Sequence, residues 1–467
     1  MPERQIVILH GWNDTSESFE PLARLLQKKL QGQNVTIISL ADYISMEDEV
    51  RFDDVVTAMQ TAWEKHDLPK KKGSVDAIVH STGALVIRDW LQRNYTPGRA
   101  PIKHLLMLAP ANFGSPLAHK GRSFLGRVWK GFITKQPAGE PFETGTQILK
   151  GLELASPYTW RLAERDRFGR GGEMYQPGNV LCTVLVGNSG YRGIRVIANE
   201  VGSDGTVRTS TANMNCVRIK AVFPTNPDEA GHDVTYDMEA SSGTTAFGVM
   251  DGHDHSSIKL FHRSSSSLRQ IEKTKRDGGL FADIVKALTI EDDEFGAWCD
   301  SLAKRNDALS PKIVTSNSKK HGFQNTVVRV VDQYGVGVDD YLLEFYEKDD
   351  DVEDAVAETF HTSAIQGVHK YSDDASYRSV YVDCTRLRET IDKVDEHLSV
   401  SVTAYPEMSE RTPAGFKTLG SDGIGGIRIN HDDIKNFFVP HRTAFVTLQL
   451  TRQQLDRTFR FQDHSNS

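Results

Sequence analysis

The sequence is poor in cysteine, in long hydrophobic runs and in positive charge. It has only four cysteines in 467 residues, and no two of them form a Cys-x-x-Cys pair, so no disulfide framework is expected. No apolar run approaches the ~18 residues that a membrane-spanning helix needs. The formal net charge of −8 argues against a nucleic-acid-binding protein. The dispersed thiols indicate a reducing compartment.

The N-terminal sequence, MPERQIVILHGWND, has no hydrophobic region of the kind found in a cleaved secretory signal. Its apolar run extends only from Ile6 to Leu9 and predicts a β-strand. The sequence therefore predicts a cytoplasmic protein, and export would need a route that does not depend on a cleaved signal.

Length and composition predict a globular protein of two or three domains. Hydrophobic residues make up 38% and charged residues 25% of the chain, as is typical of globular proteins. In the first half, short apolar runs alternate with segments of helical periodicity, which predicts right-handed βαβ units and a parallel sheet. The predicted strands are QIVILH, NVTIISL, VDAIVH and HLLMLAP, followed by LCTVLVG and CVRIKAVF.

This alternation is interrupted after the fourth strand. Residues 111–178 predict a helical insertion, and residues 225–252, rich in Gly, Ser, Thr and Asp, predict a loop. Residues 319–467 are rich in β-branched and aromatic residues with partial period-two alternation, which predicts an antiparallel β-sandwich. A turn-rich segment at 309–319 separates the two regions. We therefore predict an α/β domain over residues 1–308 and an accessory β-sandwich over residues 319–467.

The third predicted strand ends in His80-Ser81-Thr82-Gly83, and a helical pattern begins at once. A strand–turn–helix with serine at its apex is a nucleophile elbow, because the tight turn lifts the hydroxyl clear of the sheet and directs the first helix amides at a reacting carbonyl. Gly83 is the expected small residue on one side, but Val79 occupies the place where glycine is usual. The motif alone does not distinguish a nucleophile from a buried serine at an ordinary strand end.

A catalytic serine needs a base, and the base needs an acid that orients it. In folds that carry a nucleophile elbow, the orienting acid precedes the base in the chain. Downstream, Asp204 lies in a Ser-Asp-Gly turn, where an ordinary turn aspartate is the alternative. His253 and His255 then precede an apolar run. We favour His255 because Ser-Ser-Ile follows it at a predicted helix start, and His253 stays open as the base.

The first predicted strand ends in His10-Gly11-Trp12. A loop at this point can place the Trp12 amide beside the Thr82 amide, and two such amides would form an oxyanion hole worth ~3 kcal/mol per donor in the transition state. A plain turn at a strand end is the alternative. The position of this motif, one βαβ unit ahead of the serine, favours the catalytic interpretation.

Taken in order, these motifs resemble those of the lipase/esterase branch of the α/β-hydrolases. The resemblance covers about residues 2–267 and includes PANFGSPLA after the fourth strand and the segment SPYTWRL. It implies an α/β fold with a doubly wound, mostly parallel sheet and a helical cap formed by the insertion at 111–178. The β-sandwich at 319–467 would be appended to this hydrolase domain.

The resemblance also implies a role for each candidate residue. Ser81 would be the nucleophile, Asp204 the orienting acid and His255 the general base. The amides of Trp12 and Thr82 would stabilise the oxyanion. The dense His/Asp region that ends at His255 is compatible with a metal, but its long spacer and the lack of a His-Glu-x-x-His helix argue against a catalytic metal. No cofactor is expected.

The predicted insertion carries the basic and aromatic segment HKGRSFLGRVWKGFITK. Such a segment can meet an anionic lipid surface, although a solvated helix face is the simpler interpretation. Phe113, Trp129 and Phe132 are the candidates for lining a substrate groove. Packing of the insertion onto the sheet is the alternative role for these aromatic residues.

Two functions from different classes follow from these observations. The first is a serine hydrolase that cleaves carboxylic esters, above all lipid esters, through an acyl-enzyme, with a phospholipase role as a narrower hypothesis. The second is a hydrolase-fold scaffold with an inert serine, which binds a protein partner through its β-sandwich. The presence of Val79 in place of the usual glycine favours this second hypothesis. A thioesterase or acyltransferase also fits the motifs. Nucleic acid is not an expected partner.

Overall fold

The structure, a computed structural model, divides into two compact units. The first unit comprises Met1–Cys216, Ala240–Phe323 and His441–Thr443, and the second comprises Val217–Glu239, Gln324–Pro440 and Ala444–Ser467. The residues that the structure describes are 4–10, 16–31, 33–45, 47–118, 145–192, 196, 198–223, 234–260, 271–310, 321–347, 354–392, 394, 397–416 and 427–458.

Strands and helices alternate in the first unit, whereas strands predominate in the second. The strands are β1 (Gln5–His10), β2 (Val35–Ser39), β3 (Val75–His80), β4 (Ile102–Leu108), β5 (Leu181–Gly187), β6 (Cys216–Val222), β7 (Tyr236–Ala240), β8 (Thr245–Met250), β9 (Phe323–Val331), β10 (Tyr341–Tyr346), β11 (Ile365–Lys370), β12 (Tyr377–Asp383), β13 (His397–Ala404), β14 (Ala414–Gly415), β15 (Ile427–Asn430), β16 (Thr443–Gln449) and β17 (Gln453–Gln454). The α-helices are α1 (Glu20–Lys29), α2 (Phe52–Lys65), α3 (Gly83–Asn94), α4 (Thr146–Leu152), α5 (Pro157–Asp166), α6 (Thr209–Ala212), α7 (Lys275–Thr289), α8 (Phe295–Leu309), α9 (Ala355–Thr359), α10 (Cys384–Ile391) and α11 (His431–Phe437).

A six-stranded parallel sheet forms the centre of the first unit, in the order β2-β1-β3-β4-β5-β8. Alternate residues of its strands pack into two separate cores. Val7 and Leu9 of β1 pack with side chains of α2 and α3, and Ile6 and Ile8 pack with side chains of α1, α7 and α8. Helices therefore cover both faces, which explains why these strands are continuous apolar runs. The doubly wound sheet predicted from the sequence is confirmed.

Two predictions about this sheet are wrong. The segment CVRIKAVF does not extend the parallel sheet, because β6 lies between β16 and β7 in a sheet of the second unit. Burial along β6 largely alternates, which suits a sheet with one face toward solvent, whereas strands of a covered parallel sheet are buried on both faces. Residues 225–252 are not all loop either, since they include β7 and the last strand of the parallel sheet, β8. The segment 217–239 thus joins the second unit, although it precedes residue 308.

The helical insertion predicted at 111–178 is only partly described. Its described part contains α4 and α5, while residues 119–144, with the basic and aromatic segment, lie outside the described residues. None of the helices within the described ranges is long and apolar enough to cross a lipid bilayer.

The second unit contains two main sheets. One has the order β11-β12-β9-β16-β6-β7 and the other the order β10-β13-β15. The pairs β11·β12, β10·β13 and β13·β15 are antiparallel. Apolar side chains of both sheets form one common core, as in a β-sandwich, with α9, α10 and α11 contributing at its edges. The predicted C-terminal β domain is confirmed.

Candidate active site

The turn between β3 and α3 presents Ser81 in a strained conformation. β3 is buried at every position and ends at the residue before Ser81. Ser81 has a φ of +54°, a left-handed conformation that costs a non-glycine residue of order 1–3 kcal/mol. The Ser81 amide donates a hydrogen bond to the Leu108 carbonyl at 3.2 Å, and the Ser81 carbonyl accepts one from the Ala111 amide at 3.3 Å. The end of β4 therefore holds the turn in place.

Val79 does not prevent this turn from forming. Its side chain is fully buried in the core that also contains residues of α3. The strand, the strained serine and the helix follow one another in the geometry that a nucleophile elbow requires, and this turn forms without the usual glycine.

Three buried side chains from distant parts of the chain meet at this turn. The Nε2 atom of His255 lies 3.2 Å from the Oγ atom of Ser81, and its Nδ1 atom lies 2.9 Å from Oδ2 of Asp204. Asp204 is fully buried, and Ser81 and His255 are 6% and 8% exposed. When Nδ1–H donates to the carboxylate, the lone pair of Nε2 faces the serine hydroxyl. This arrangement can take a proton from Ser81.

The loop that carries Asp204 uses both oxygens of the carboxylate. Oδ1 accepts hydrogen bonds from the amides of Thr206 at 2.9 Å and Val207 at 2.8 Å, which forms the turn expected of an aspartate before glycine. Oδ2 remains for the imidazole of His255. The amide of His255 also donates to the Asp204 carbonyl at 3.0 Å. Asp204 can therefore form its turn through Oδ1 and contact the imidazole of His255 through Oδ2 at the same time.

His253, the other candidate base, occupies a different environment. It is 1% exposed, and its Nε2 atom lies 3.9 Å from Oδ1 of Asp277 on α7. Burial lowers the pKa of His253 below its ordinary value. The structure brings His255, and not His253, within hydrogen-bond distance of Ser81.

His80 contacts His255, and no motif in the sequence had given His80 a role. Its Nε2 atom lies 3.1 Å from the carbonyl oxygen of His255, and the two imidazole rings are 4.7 Å apart. The ring centroid of Phe19 lies 5.7 Å from that of His80, with the two rings steeply inclined to each other. A polar residue at the end of an apolar strand, next to the serine, was the signal in the sequence for this contact.

A segment from the distant end of the chain holds the loop of Asp204. His441, which is partly buried and has a φ of +59°, places Nδ1 2.9 Å from Oγ1 of Thr209 and Nε2 2.9 Å from Oγ of Ser310. The Thr209 amide donates to the Gly202 carbonyl at 2.9 Å and so closes the loop. No sequence pattern indicated this contact, because it joins residues 232 positions apart.

Of the remaining predicted site residues, the structure describes Thr82 and Phe113. Thr82 is 3% exposed and lies at the N-terminus of α3, where the helix dipole favours negative charge. Phe113 is 1% exposed, and its ring centroid lies 5.2 Å from Cζ of the buried Arg88. It is therefore a core residue, and its predicted place in an open groove is not supported. Trp12, Trp129 and Phe132 lie outside the described residues.

Metal binding finds no support in the described part of the chain. Within it, no group of three or more His, Cys, Asp or Glu side chains is arranged to hold a metal ion.

Solved structures share the fold of this chain over nearly its whole length. Phospholipase PlaB from Legionella pneumophila, in complex with thio-NAD, matches 99% of this chain and 97% of its own with a TM-score of 0.78 and 23% sequence identity. A second structure of the same phospholipase matches the same shares with a TM-score of 0.76 and 23% identity. No family model matches the chain, and no curated protein matches it. The likeness shows a common fold, here a parallel α/β unit with a C-terminal β domain.

Proposed function

We propose that this protein is a serine hydrolase that cleaves carboxylic esters of lipids through an acyl-enzyme. The observation that carries the proposal is the geometry of three residues, in which His255 lies 3.2 Å from the Ser81 hydroxyl and 2.9 Å from the Asp204 carboxylate. The narrower proposal is a phospholipase. It is supported by the fold shared with phospholipase PlaB over 99% of this chain.

The proposed reaction has two halves. In the first, Oγ of Ser81 bonds to the acyl carbon while Nε2 of His255 accepts the hydroxyl proton, and the same proton then passes to the leaving alkoxide. In the second, His255 takes a proton from water, and the resulting hydroxide attacks the acyl-enzyme. Collapse releases the carboxylic acid and restores Ser81, because His255 returns the proton to Oγ.

Two further groups would lower the barrier. Asp204 holds the imidazole in the tautomer that leaves Nε2 free to accept a proton, and it stabilises the imidazolium that forms. The Thr82 amide, at the positive end of α3, is proposed as one donor to the oxyanion. The Trp12 amide remains the proposed second donor.

The inert-scaffold alternative fits the site less well. A residue with a strained backbone persists only where the surrounding structure supports it, and such residues cluster at active sites. Here the left-handed Ser81 coincides with an aligned histidine and a buried aspartate, which an inert serine would not require. A cytoplasmic location and a protein partner for the second unit remain predictions.

The test compares the wild type with Ser81→Ala on p-nitrophenyl esters of short and long acyl chains, on a phospholipid and with a fluorophosphonate probe. We expect Ser81→Ala to lose labelling and to lower kcat about 10⁴-fold or more. The chain-length profile then separates an esterase from a lipase.

The matched control is Ser189→Ala, which alters the Gly-Asn-Ser-Gly turn that follows β5. The amide of Ser189 donates to the His253 carbonyl at 3.0 Å, so the variant keeps this backbone contact, and we expect full activity. A folded wild type that neither reacts with the probe nor hydrolyses any of these esters would favour the scaffold. Labelling that persists in Ser81→Ala would assign the nucleophile elsewhere.

A further inference from the structure

The loop that carries Asp204 is a short hairpin. Gly202 and Thr209 form its base, where the Thr209 amide donates to the Gly202 carbonyl at 2.9 Å. The antiparallel bridge between Ser203 and Arg208 forms the next pair, and Asp204 follows this pair directly. The position of the Asp204 carboxylate therefore depends on how firmly the base of the hairpin is closed.

A chain of hydrogen bonds ends at this base. Oγ1 of Thr209 donates to the Gly202 carbonyl at 3.2 Å and lies 2.9 Å from Nδ1 of His441. Because the hydroxyl proton of Thr209 is used at Gly202, Nδ1 of His441 is the donor to Oγ1. Nε2 of His441 lies 2.9 Å from Oγ of Ser310 and accepts a hydrogen bond from that hydroxyl. The donors thus follow one another from Ser310 through His441 and Thr209 to the hairpin.

His441 is held in the neutral form that this chain of hydrogen bonds requires. Burial lowers the pKa of His441 to about 4, so the ring carries a single N–H at neutral pH and donates from one nitrogen while it accepts at the other. Hydrogen bonds that run in one direction polarise one another, which strengthens each of them. Thr209 is 1% exposed, so little water competes for its hydroxyl.

His441 is itself fixed by its neighbours in the first unit. Its amide donates to the Phe323 carbonyl at 2.8 Å, and its carbonyl accepts from Nδ2 of Asn213 at 2.8 Å. Two residues further along the chain, Oγ1 of the fully buried Thr443 donates to the Ser210 carbonyl at 2.9 Å. These contacts hold His441 at a φ of +59°, and strained residues of this kind persist where the surrounding structure enforces them, above all at functional sites.

We propose that His441 and Thr209 are positioning residues for Asp204. They close the hairpin at its base and so keep Oδ2 of Asp204 at hydrogen-bond distance from Nδ1 of His255. Both residues act through Asp204, and neither is assigned a contact with the reacting atoms. The inference rests on the proposed hydrolysis, because it names the groups that hold one of its three residues in place.

The experiment measures kcat and KM of the full-length chain on a p-nitrophenyl ester. Thr209→Val removes the hydroxyl at nearly constant shape. We expect its kcat to fall about 10-fold to 100-fold, because a small displacement of a catalytic group is costly, and its KM to stay within about twofold. Thr209→Ser keeps the hydroxyl and should restore most of the wild-type kcat. A Thr209→Val chain with the wild-type kcat would overturn the proposal.

The matched control is Thr211→Val on the same helix, α6. Thr211 is also buried, but its hydroxyl donates to the Arg208 carbonyl at 3.2 Å and lies outside the chain of hydrogen bonds. This variant should keep the wild-type kcat. An equal loss of kcat in Thr211→Val and Thr209→Val would assign the effect to a general loosening of α6 and would overturn the proposal.

Two variants of His441 test the other side of the contact. His441→Asn tolerates the φ of +59°, and its Nδ2 is as many bonds from the backbone as Nδ1 of histidine, so it can still donate to Thr209. His441→Gly also suits this φ but has no donor. We expect the glycine variant to lose as much kcat as Thr209→Val and the asparagine variant to keep most of it. Equal kcat values for the two variants would remove His441 from the proposal.

A double-variant cycle separates the positioning of Asp204 from a merely structural role. If Thr209 acts through Asp204, Thr209→Val should not lower kcat further in a chain that already carries Asp204→Asn, because residues that act as a unit have non-additive effects. The same fold loss of kcat in the wild-type and Asp204→Asn backgrounds would overturn the proposal.

Folding and the activity of the parent chain are controlled in the same proteins. Circular dichroism and thermal unfolding identify a variant that does not fold, and the two His441 variants decide the outcome if Thr209→Val is one. A wild type that neither hydrolyses the ester nor reacts with the fluorophosphonate probe would overturn the hydrolase proposal itself. An active wild type with equally active Thr209→Val and His441→Gly chains would overturn only the positioning role.

Discussion

The Nε2 atom of His255 lies 3.2 Å from the Oγ atom of Ser81, although 174 residues separate them in the chain. The parallel sheet accounts for this proximity. Ser81 directly follows β3, and His255 follows β8, so both residues lie beyond the carboxyl ends of strands in one sheet. Ligands of open α/β sheets bind at this edge.

The first prediction concerns the strain at Ser81. Its φ of +54° favours glycine over alanine, because a Cβ atom in the left-handed region costs roughly 1–2 kcal/mol. Both Ser81→Gly and Ser81→Ala should be inactive, but the glycine variant should be more stable by about 1 kcal/mol in urea unfolding. Equal stability of the two variants would show that the turn is not strained.

The second prediction concerns Asp204→Asn. The asparagine oxygen can still accept from the amides of Thr206 and Val207, but its NH₂ group then faces Nδ1 of His255 and stabilises the wrong tautomer. We expect kcat to fall about 10⁴-fold with little change in KM and in Tm. Steady-state kinetics and thermal unfolding check this, and a variant that keeps a tenth of the wild-type kcat would remove Asp204 from the mechanism.

The third prediction concerns a buried ion pair that ties α3 to α5. Nε and Nη2 of Arg88 lie 2.7 and 2.8 Å from the two oxygens of Asp166, and both side chains are fully buried. Arg88→Met removes the cationic partner of a buried carboxylate, which keeps only a hydrogen bond from the Tyr175 hydroxyl, and should cost about 3–5 kcal/mol of unfolding free energy. The double variant Arg88→Met/Asp166→Leu should recover much of this loss. A double variant as unstable as the single one would argue that shape, not charge, dominates the site.

The fourth prediction concerns pH and His441. Burial lowers the pKa of His441 from 6.5 to about 4. Between these values the unfolded chain binds a proton that the folded chain does not, so stability is retained above pH 6.5 and decreases as the pH falls toward 4. The loss amounts to at most about 3 kcal/mol.

His441→Asn is the variant for this test, because asparagine tolerates a φ of +59°. Urea unfolding between pH 4 and 7 should show a flatter dependence in the variant than in the wild type. His253, whose pKa is also lowered by burial, contributes equally in both proteins and cancels. Parallel curves for the two proteins would contradict a neutral His441 in the folded chain.

Local patterns in the sequence determined much of the first unit. Five of the predicted strands and the helices between them follow from apolar runs and helical periodicity, since residues a few positions apart on one element share one environment. The serine at the end of β3 followed from the same logic, because a strand that turns at once into a helix needs a special backbone at its apex.

Only the tertiary structure decided which distant groups meet. The choice of His255 over His253 depends on which of two neighbouring histidines the turn after β8 aims at Ser81. β6 belongs to the β domain because it pairs with β16, a strand formed far along the chain. Periodicity along the sequence reports the environment of an element but not the identity of its partner, because long-range contacts are selected by packing of the whole chain.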